Sequence, residues 1–350
     1  MPADSPLTAK IAPLLRVAEA TAHEGRTDAA TNAFAELALL SLRRGDWNQA
    51  EVFAARATEL AQLAPTGPAA PAALLASALV PAGRGELSTA FGALDAVKGL
   101  PVGASPTIVE PLALHIQLIV LIGLNDWFEL GRLTERSEGT PVTRYFQRNE
   151  WLALRLLAAW HLNDVVLSDA ILAEWGDTLD VDSDPYFHTF RGLLLDRDGR
   201  HVEAIAAIRR SIELVGPAED PLGRTWIRLV AGSALTRRGD TPEEGLGLYR
   251  EAREELDRLG ARVFVARCDS IMATSLRRLG ASVAQNPLSA LSPHQHRVAT
   301  LVADGHTNRE IGQVLGVSTK TIDFHVGNIL ARLSLPSRRH IRDLLHRSHQ

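Results

Sequence analysis

Apolar residues between positions 7 and 279 recur three or four apart, the spacing of one helix face, and no stretch alternates as a strand would. The run NAFAELALLSLRR ends at Gly45-Asp46-Trp47, and NQAEVFAARATELAQL begins on the far side of that break. The same punctuation returns at Gly85, Asn125, Asn163, Gly199 and Gly239, at successive spacings of 40, 40, 38, 36 and 40 residues. Gly and Asn tolerate the positive φ of a left-handed helix cap, so each break predicts the end of one helix and the start of another. Breaker segments at Pro65 to Pro71, Pro101 to Pro106, Thr140-Pro141, Asp180 to Pro185 and Gly216 to Pro221 separate one pair from the next. A single hairpin of this size cannot bury its apolar face alone. Regular recurrence therefore predicts hairpins stacked into an array, with a concave face for a partner or effector, over residues 1–279.

The pattern changes after Gly260. One more helical run, ARVFVARCDSIMATSLRRLG, gives way to ASVAQNPLSAL, which has no period and carries the helix-stopping Pro287; residues 280–290 read as a linker. Residues 291–350 then read as four short helices. Ser292-Pro293 starts the first, Val298, Leu301 and Val302 form its stripe, and Gly305 ends it. Thr307 caps the second, with Ile311, Val314 and Leu315 inward and Gly316 at its end. Ser318 or Thr319 caps the third, whose Ile322, Val326, Ile329 and Leu333 share a face. Opposite them stand Lys320, Phe324, Gly327 and Ala331, with Asp323 and Asn328 at the edges. Pro336-Ser337 restarts the chain for a last helix with Ile341, Leu344 and Leu345 inward.

Two helices joined by a tight Gly-containing turn, the second with a capped face of mixed polarity, suit the major groove of DNA. On that reading Asp323 accepts from cytosine N4, Phe324 meets a thymine methyl, and Gly327 lets the backbone approach the duplex. Arg309, Lys320, Arg332 and Arg338 neutralise phosphates, while Thr307, Ser318, Thr319 and Thr321 offer hydroxyl and helix N-terminal donors.

Charge supports the division. The formal charge of −4 hides a tail of +4 from position 288 onward and a body of −8 before it. An acidic body with a basic tail is expected where only the tail meets a polyanion. Cys268 is the one cysteine, which excludes an intramolecular disulfide. The start MPADSPLTAK has no secretory apolar core, and the most apolar window, PLALHIQLIVLIGL, is short and contains His115 and Gln117; the expectation is a cytoplasmic protein that does not span a membrane. No nucleophile, base and anion site stand at motif spacing, so no enzyme is expected. The histidines at 294, 296, 346 and 349 lack metal-ligand spacing, and no metal or cofactor is expected.

Residues 291–345 resemble the DNA-binding domain of LuxR-type transcriptional regulators. The resemblance is carried by Leu291, Ser292, Gly305, Asn308, Arg309, Glu310, Ile311, Leu315, Ser318, Thr321, Ile322, His325, Val326, Asn328, Ile329, Leu333 and Arg338. It implies a four-helix domain whose third helix reads double-stranded DNA at a promoter operator, with His325 positioned near phosphate. It also implies a homodimer paired through the last helix, at Ile341, Leu344 and Leu345. The sequence departs from the family line at Arg297, Gly312, Ser334-Leu335, Asp323 and Gly327, so the operator does not carry over. The array resembles tetratricopeptide-type repeats in architecture. REELDRLGARVFVARCDSIM is similar to what precedes this domain in the large ATP-binding members of the family, which carry helical repeats. None of the three lysines follows a Gly as a phosphate-binding loop requires, so a shortened relative without the ATPase domain is expected. The expected chain is all-α: a tetratricopeptide-like array that senses a ligand or protein, followed by a helix-turn-helix domain acting as a transcriptional regulator. The alternative is an interaction scaffold whose C-terminal helices mediate assembly rather than operator binding.

Overall fold

In the computed structural model, the structure describes residues 6–98, 108–216, 221–238, 242–278, 291–333, 335 and 337–348. Among the described residues there is no strand. Pro6–His23 leads into six helix pairs: Thr27–Arg44 with Trp47–Leu63, Ala70–Arg84 with Leu87–Val97, and Val109–Leu124 with Trp127–Ser137. Arg148–Leu162 with Val165–Thr178, Pro185–Arg197 with His201–Leu214, and Pro221–Arg238 with Pro242–Leu259 complete the set, and Arg262–Arg278 closes the array. Among the described residues no helix is long and apolar enough to cross a membrane.

The hairpin turns follow from two adjacent residues. Gly45, Gly85, Asn125, Asn163 and Gly199 take positive φ of 87°, 88°, 58°, 58° and 80°. After three of them an aspartate caps the next helix: Asp46, Asp126 and Asp164 accept from the backbone N–H of Gln49, Glu129 and Leu167 at 3.0, 3.1 and 3.0 Å. A left-handed stop followed at once by an N-cap reverses the chain within two residues. Gly239, the breaker Pro101 to Pro106 and the 280–290 linker fall outside the described residues.

The array coils until its early turns meet its late helices. A Cβ on Gly45 would lie 2.4 Å from Pro221 Cγ, and one on Gly85 only 2.2 Å from Val263 Cγ2. Both positions are thus glycine twice over, for conformation and for space. Arg43, buried, pairs with Glu150 at 2.7 Å, and Arg267 donates to the Ile122 carbonyl at 3.1 Å. Two of the apolar clusters among the described residues are large. One runs from Ala18 to Cys268 around Leu37 and Leu79; the other surrounds Trp175 and Phe190. A cavity of about 170 Å³ remains where they adjoin.

The tail has its own core. Leu291, Val298, Val302, Ile311, Leu315, Ile322, Val326, Ile329, Ile341 and Leu345 form one cluster from Pro293–Ala303, Asn308–Leu315, Thr319–Arg332 and Arg339–Ser348. Val314, expected inward, is 54% exposed, because the eight-residue second helix buries only the Ile311 and Leu315 seam.

Gly85→Ala is expected to lower stability by about 2–5 kcal/mol, combining left-handed strain with overpacking against Val263. Gly25 shares the positive φ (71°) with nothing within 4 Å of a Cβ, so Gly25→Ala should cost about 1–2 kcal/mol. Urea unfolding of both variants checks this; equal losses would remove the close approach as a contributor.

Candidate nucleic-acid interface

Three caps shape the tail. Ser292 accepts from Gln295 N at 3.1 Å and Thr307 forms a reciprocal box with Glu310, whose carboxylate is held below its usual range by the Thr307 N–H and hydroxyl. Gly316 ends the second helix at φ 70°, and Ser318 starts the third by accepting from Thr321 N at 3.0 Å. Gly312 is needed in this turn, since a Cβ there would meet the Val317 carbonyl oxygen at 2.7 Å. The result is a helix-turn-helix with Thr319–Arg332 as its second helix.

The outer face of that helix carries the predicted base readers. Asp323 is exposed and accepts from Asn308 Nδ2. Gly327 is exposed with nothing within 4 Å of a would-be Cβ, so a partner backbone can approach. Arg309, Thr319 and Lys320 are exposed beside them. Thr307 and Ser318 serve as caps, each with a hydroxyl at a helix start.

Part of this face lies against the repeat body. Phe324 packs on the cluster that contains Trp127, Leu130 and Trp175, not on the tail core. Lys320 Nζ sits 4.6 Å from the centroid of the Phe128 ring. Thr321 is buried and hydrogen-bonded to the Asp126 carboxylate, whose pKa burial pushes up while its hydrogen bonds from Glu129 N and Thr321 hold it back. Gly316 faces Phe91, with Phe91 Cδ2 3.6 Å from its would-be Cβ, and Val317 packs between the body and tail cores. The sequence places Phe324 on an outward face; the structure packs it on the cluster around Trp127, some 200 residues upstream.

Three expectations need correction. His325, expected near phosphate, is 0% exposed inside the tail, with its ring 4.8 Å from that of His294. Arg338, expected at phosphate, donates to Asn308 Oδ1 and the His306 carbonyl and ties the start of the last helix to the second. Ile341 and Leu345, expected at a dimer contact, are buried because the stripe of the last helix is needed to close the tail core; Leu344 is half-buried against the same core. Arg332 is exposed at the end of the third helix and donates to Gln295 Oε1 at 2.9 Å, joining that helix to the first. Sequence reasoning missed Asp126 and Phe128 as neighbours of this helix, and Phe91 as a neighbour of Gly316 in the turn before it. No local signal marks them, since Asp126 and Phe128 read only as hairpin-turn residues.

Residues 289–345 match the family described as bacterial regulatory proteins, luxR family, so the C-terminal part of the chain is a LuxR-family helix-turn-helix domain. Over this domain the chain is similar to the transcriptional regulatory protein LiaR of Bacillus subtilis, 35% identical over 63 residues, 18% of this chain and 30% of that protein. The transcriptional regulatory protein DegU of Brevibacillus brevis is 39% identical over 54 residues, 15% of this chain and 23% of the relative. The transcriptional activator protein CarR of Pectobacterium carotovorum is 38% identical over 50 residues, 14% and 20%. The chain thus spans less than a third of the length of these relatives. No solved structure matches it.

Burial holds His325 at a pKa of about 4 and, with the charge of His325 and Arg297 nearby, His294 at about 3. Both fold neutral, and the ring nitrogens of His325 and Nε2 of His294 lack hydrogen-bond partners. The unfolded chain takes up these protons near pH 6.5, so the stabilisation is present above that value and is lost as pH falls toward 4. Amide exchange in the tail should report a loss of about 2 kcal/mol per imidazole between pH 7 and 5. His325→Phe should flatten that dependence; an unchanged slope would place the titration elsewhere.

Proposed function

We propose that this chain is a sequence-specific DNA-binding transcriptional regulator, and that its repeat array controls access to the reading helix. The observation that carries the reading is the helix-turn-helix itself. Its second helix presents exposed Asp323 and Gly327 beside Lys320, Arg309 and Thr319, within a stretch that matches the luxR family. Its relatives are named as transcriptional regulators. The +4 tail beside the −8 body supports a polyanion as the tail's partner, and DNA implies the cytoplasm as the compartment.

Part of the face that would meet the groove, at Lys320, Thr321 and Phe324, rests on the body around Phe128, Asp126 and Trp127. Groove and body therefore compete for it, and the docked arrangement is the closed form of this reading. Asp323 reads cytosine N4 and Phe324 a thymine methyl once the helix leaves the body; Lys320, Arg309 and Thr319 contact phosphate. A signal acts by shifting the population between closed and open. A homodimer on paired half-sites would use a surface other than the buried Ile341 and Leu345.

Selection of bound sequences from random DNA, with the whole chain and with Phe128→Arg, tests this. Phe128→Arg places a cation against Lys320 without altering the DNA-reading face, and should raise operator affinity about tenfold, or about 1.4 kcal/mol. Adding Lys320→Ala to that variant should lower the salt slope by about one, and adding Phe324→Ala should relax preference at one base position. If neither protein enriches any sequence, the scaffold reading takes the place of this one.

A further inference from the structure

The 170 Å³ cavity inside the coiled array is lined mainly by apolar and aromatic side chains, Phe146, Phe190 and Trp226 among them. An engineered cavity of about 150 Å³ with such a lining admits benzene, so this space suits one six-membered ring with a small substituent. Two polar features of its wall are unmatched by the protein. His115 is 5% exposed, and its Nδ1 lies 2.8 Å from the Pro111 carbonyl. A carbonyl only accepts, so Nδ1 carries the proton and Nε2 is left as a bare acceptor. That Nε2 is buried and has no partner. Protonation does not rescue it, since burial and nearby Arg43 hold the imidazole at a pKa of about 3. The second feature is Arg267. It donates to the Ile122 carbonyl and stacks over Trp127 at 5.0 Å, yet among the described residues no carboxylate pairs with it. Arg43, the other guanidinium in the wall, is already neutralised by Glu150.

We propose that the cavity binds a small hydroxylated aromatic carboxylate, its ring among Phe146, Phe190 and Trp226, its carboxylate on Arg267, and its hydroxyl donating to His115 Nε2. The assignment rests on the reading of the array as the regulatory part of the chain and names the chemistry of its signal. Each requirement has one source. The apolar wall selects a ring, the unpaired cation selects an anion, and the orphan acceptor selects a donor.

Arg267 also reports on the tail. Its pKa is lowered to about 10, first by burial and then by the positive charge of Arg332 on the reading helix. Arg267 stacks on Trp127, which lies between Asp126 and Phe128, the residues that hold Thr321 and Lys320. A carboxylate on Arg267 screens the repulsion between the two arginines, which exists only while the tail is docked. The anion therefore binds the closed form better, and by linkage weakens DNA binding by the factor by which DNA weakens the anion.

The test is calorimetric titration of the whole chain, without DNA, with 3- and 4-hydroxybenzoate, benzoate and phenol, alongside Trp fluorescence. A hydroxybenzoate should bind at least tenfold tighter than phenol and several-fold tighter than benzoate. Arg267→Met should erase the margin over phenol, and His115→Phe the margin over benzoate. Ala153→Phe, which fills the cavity, should abolish binding while circular dichroism remains helical; the two other variants decide the matter if it does not fold. Phenol binding as tightly as the acids, or acid binding unaffected by Arg267→Met, overturns the proposal, as does no binding by any probe. Adding the best acid should lower affinity for a selected operator severalfold, and a rise overturns the assigned coupling. Ligand binding in a chain that enriches no DNA sequence removes the regulator reading and leaves the cavity assignment supported; operator binding with no ligand binding does the reverse.

Discussion

One helix face cannot be bound to two surfaces at once, and every functional statement about this chain turns on that constraint. Thr319–Arg332 presents Lys320, Thr321, Phe324 and their neighbours on the side away from the tail core. In the structure that side is occupied by Phe128, Asp126 and the cluster around Trp127. The contacts are individually modest. A partly exposed cation–π pair is worth about 0.5–1 kcal/mol, a hydrogen bond to a charged group about 1.5–3, and partial burial of one Phe about 1–2. On the proposed reading, contacts of this size would hold the closed form in clear majority. They also lie within the roughly 4–10 kcal/mol that separates specific from non-specific DNA binding, so an operator would outcompete them. A much tighter dock would be a permanent seal, and a much weaker one would exert no control.

The same three residues, Asp126, Trp127 and Phe128, join levels of structure that the chain keeps far apart in sequence. Asp126 is at once the N-cap that reverses a hairpin and the acceptor for Thr321. Trp127 is buried in the body core, stacked on His161 at 3.9 Å and under Arg267. Phe128 sits on the outside of the same turn and meets Lys320. A repeat unit whose turn both folds the array and seats the tail ties the geometry of the coil to the availability of the reading helix. Arg267 extends the connection inward, because it lines the cavity and stacks on the same turn.

What the sequence disclosed divides along the range of the forces involved. The hairpin turns at Gly45, Gly85, Asn125, Asn163 and Gly199 were legible because positive φ is a property of single residues. The caps at Ser292, Thr307 and Ser318 were legible for a similar reason, since an N-cap reaches only three residues ahead. The coil was not. The closeness of Gly45 to Pro221 and Gly85 to Val263 depends on small rotations summed over several repeats, which no local pattern encodes. Phe324 illustrates both limits: its angle on the helix was readable at 100° per residue, while its packing on the cluster around Trp127 was not. His325 and Ile341 erred differently. A family position or an apolar stripe says that a residue is needed, not whether it is needed inside the domain or at its surface, and the small tail core needs both.

The tail's size gives its polar ties weight. A four-helix unit of this length buries a small apolar core and is correspondingly marginal. Polar ties therefore supplement its core. Arg338 binds Asn308 and the His306 carbonyl, Asn308 in turn binds Asp323, and Arg332 binds Gln295. The chain from Arg338 through Asn308 to Asp323 links the last, second and third helices and ends on a carboxylate of the reading face. Asp323 is thereby oriented within the folded domain, where part of the entropy of fixing it is already lost. On the proposed reading the bond would loosen or share its oxygens with a cytosine amine, and a carboxylate, with two oxygens and several lone pairs, can do the latter. Orientation by a neighbouring amide and readout by the remaining acceptor sites are compatible in one side chain, which an apolar residue at this position could not achieve.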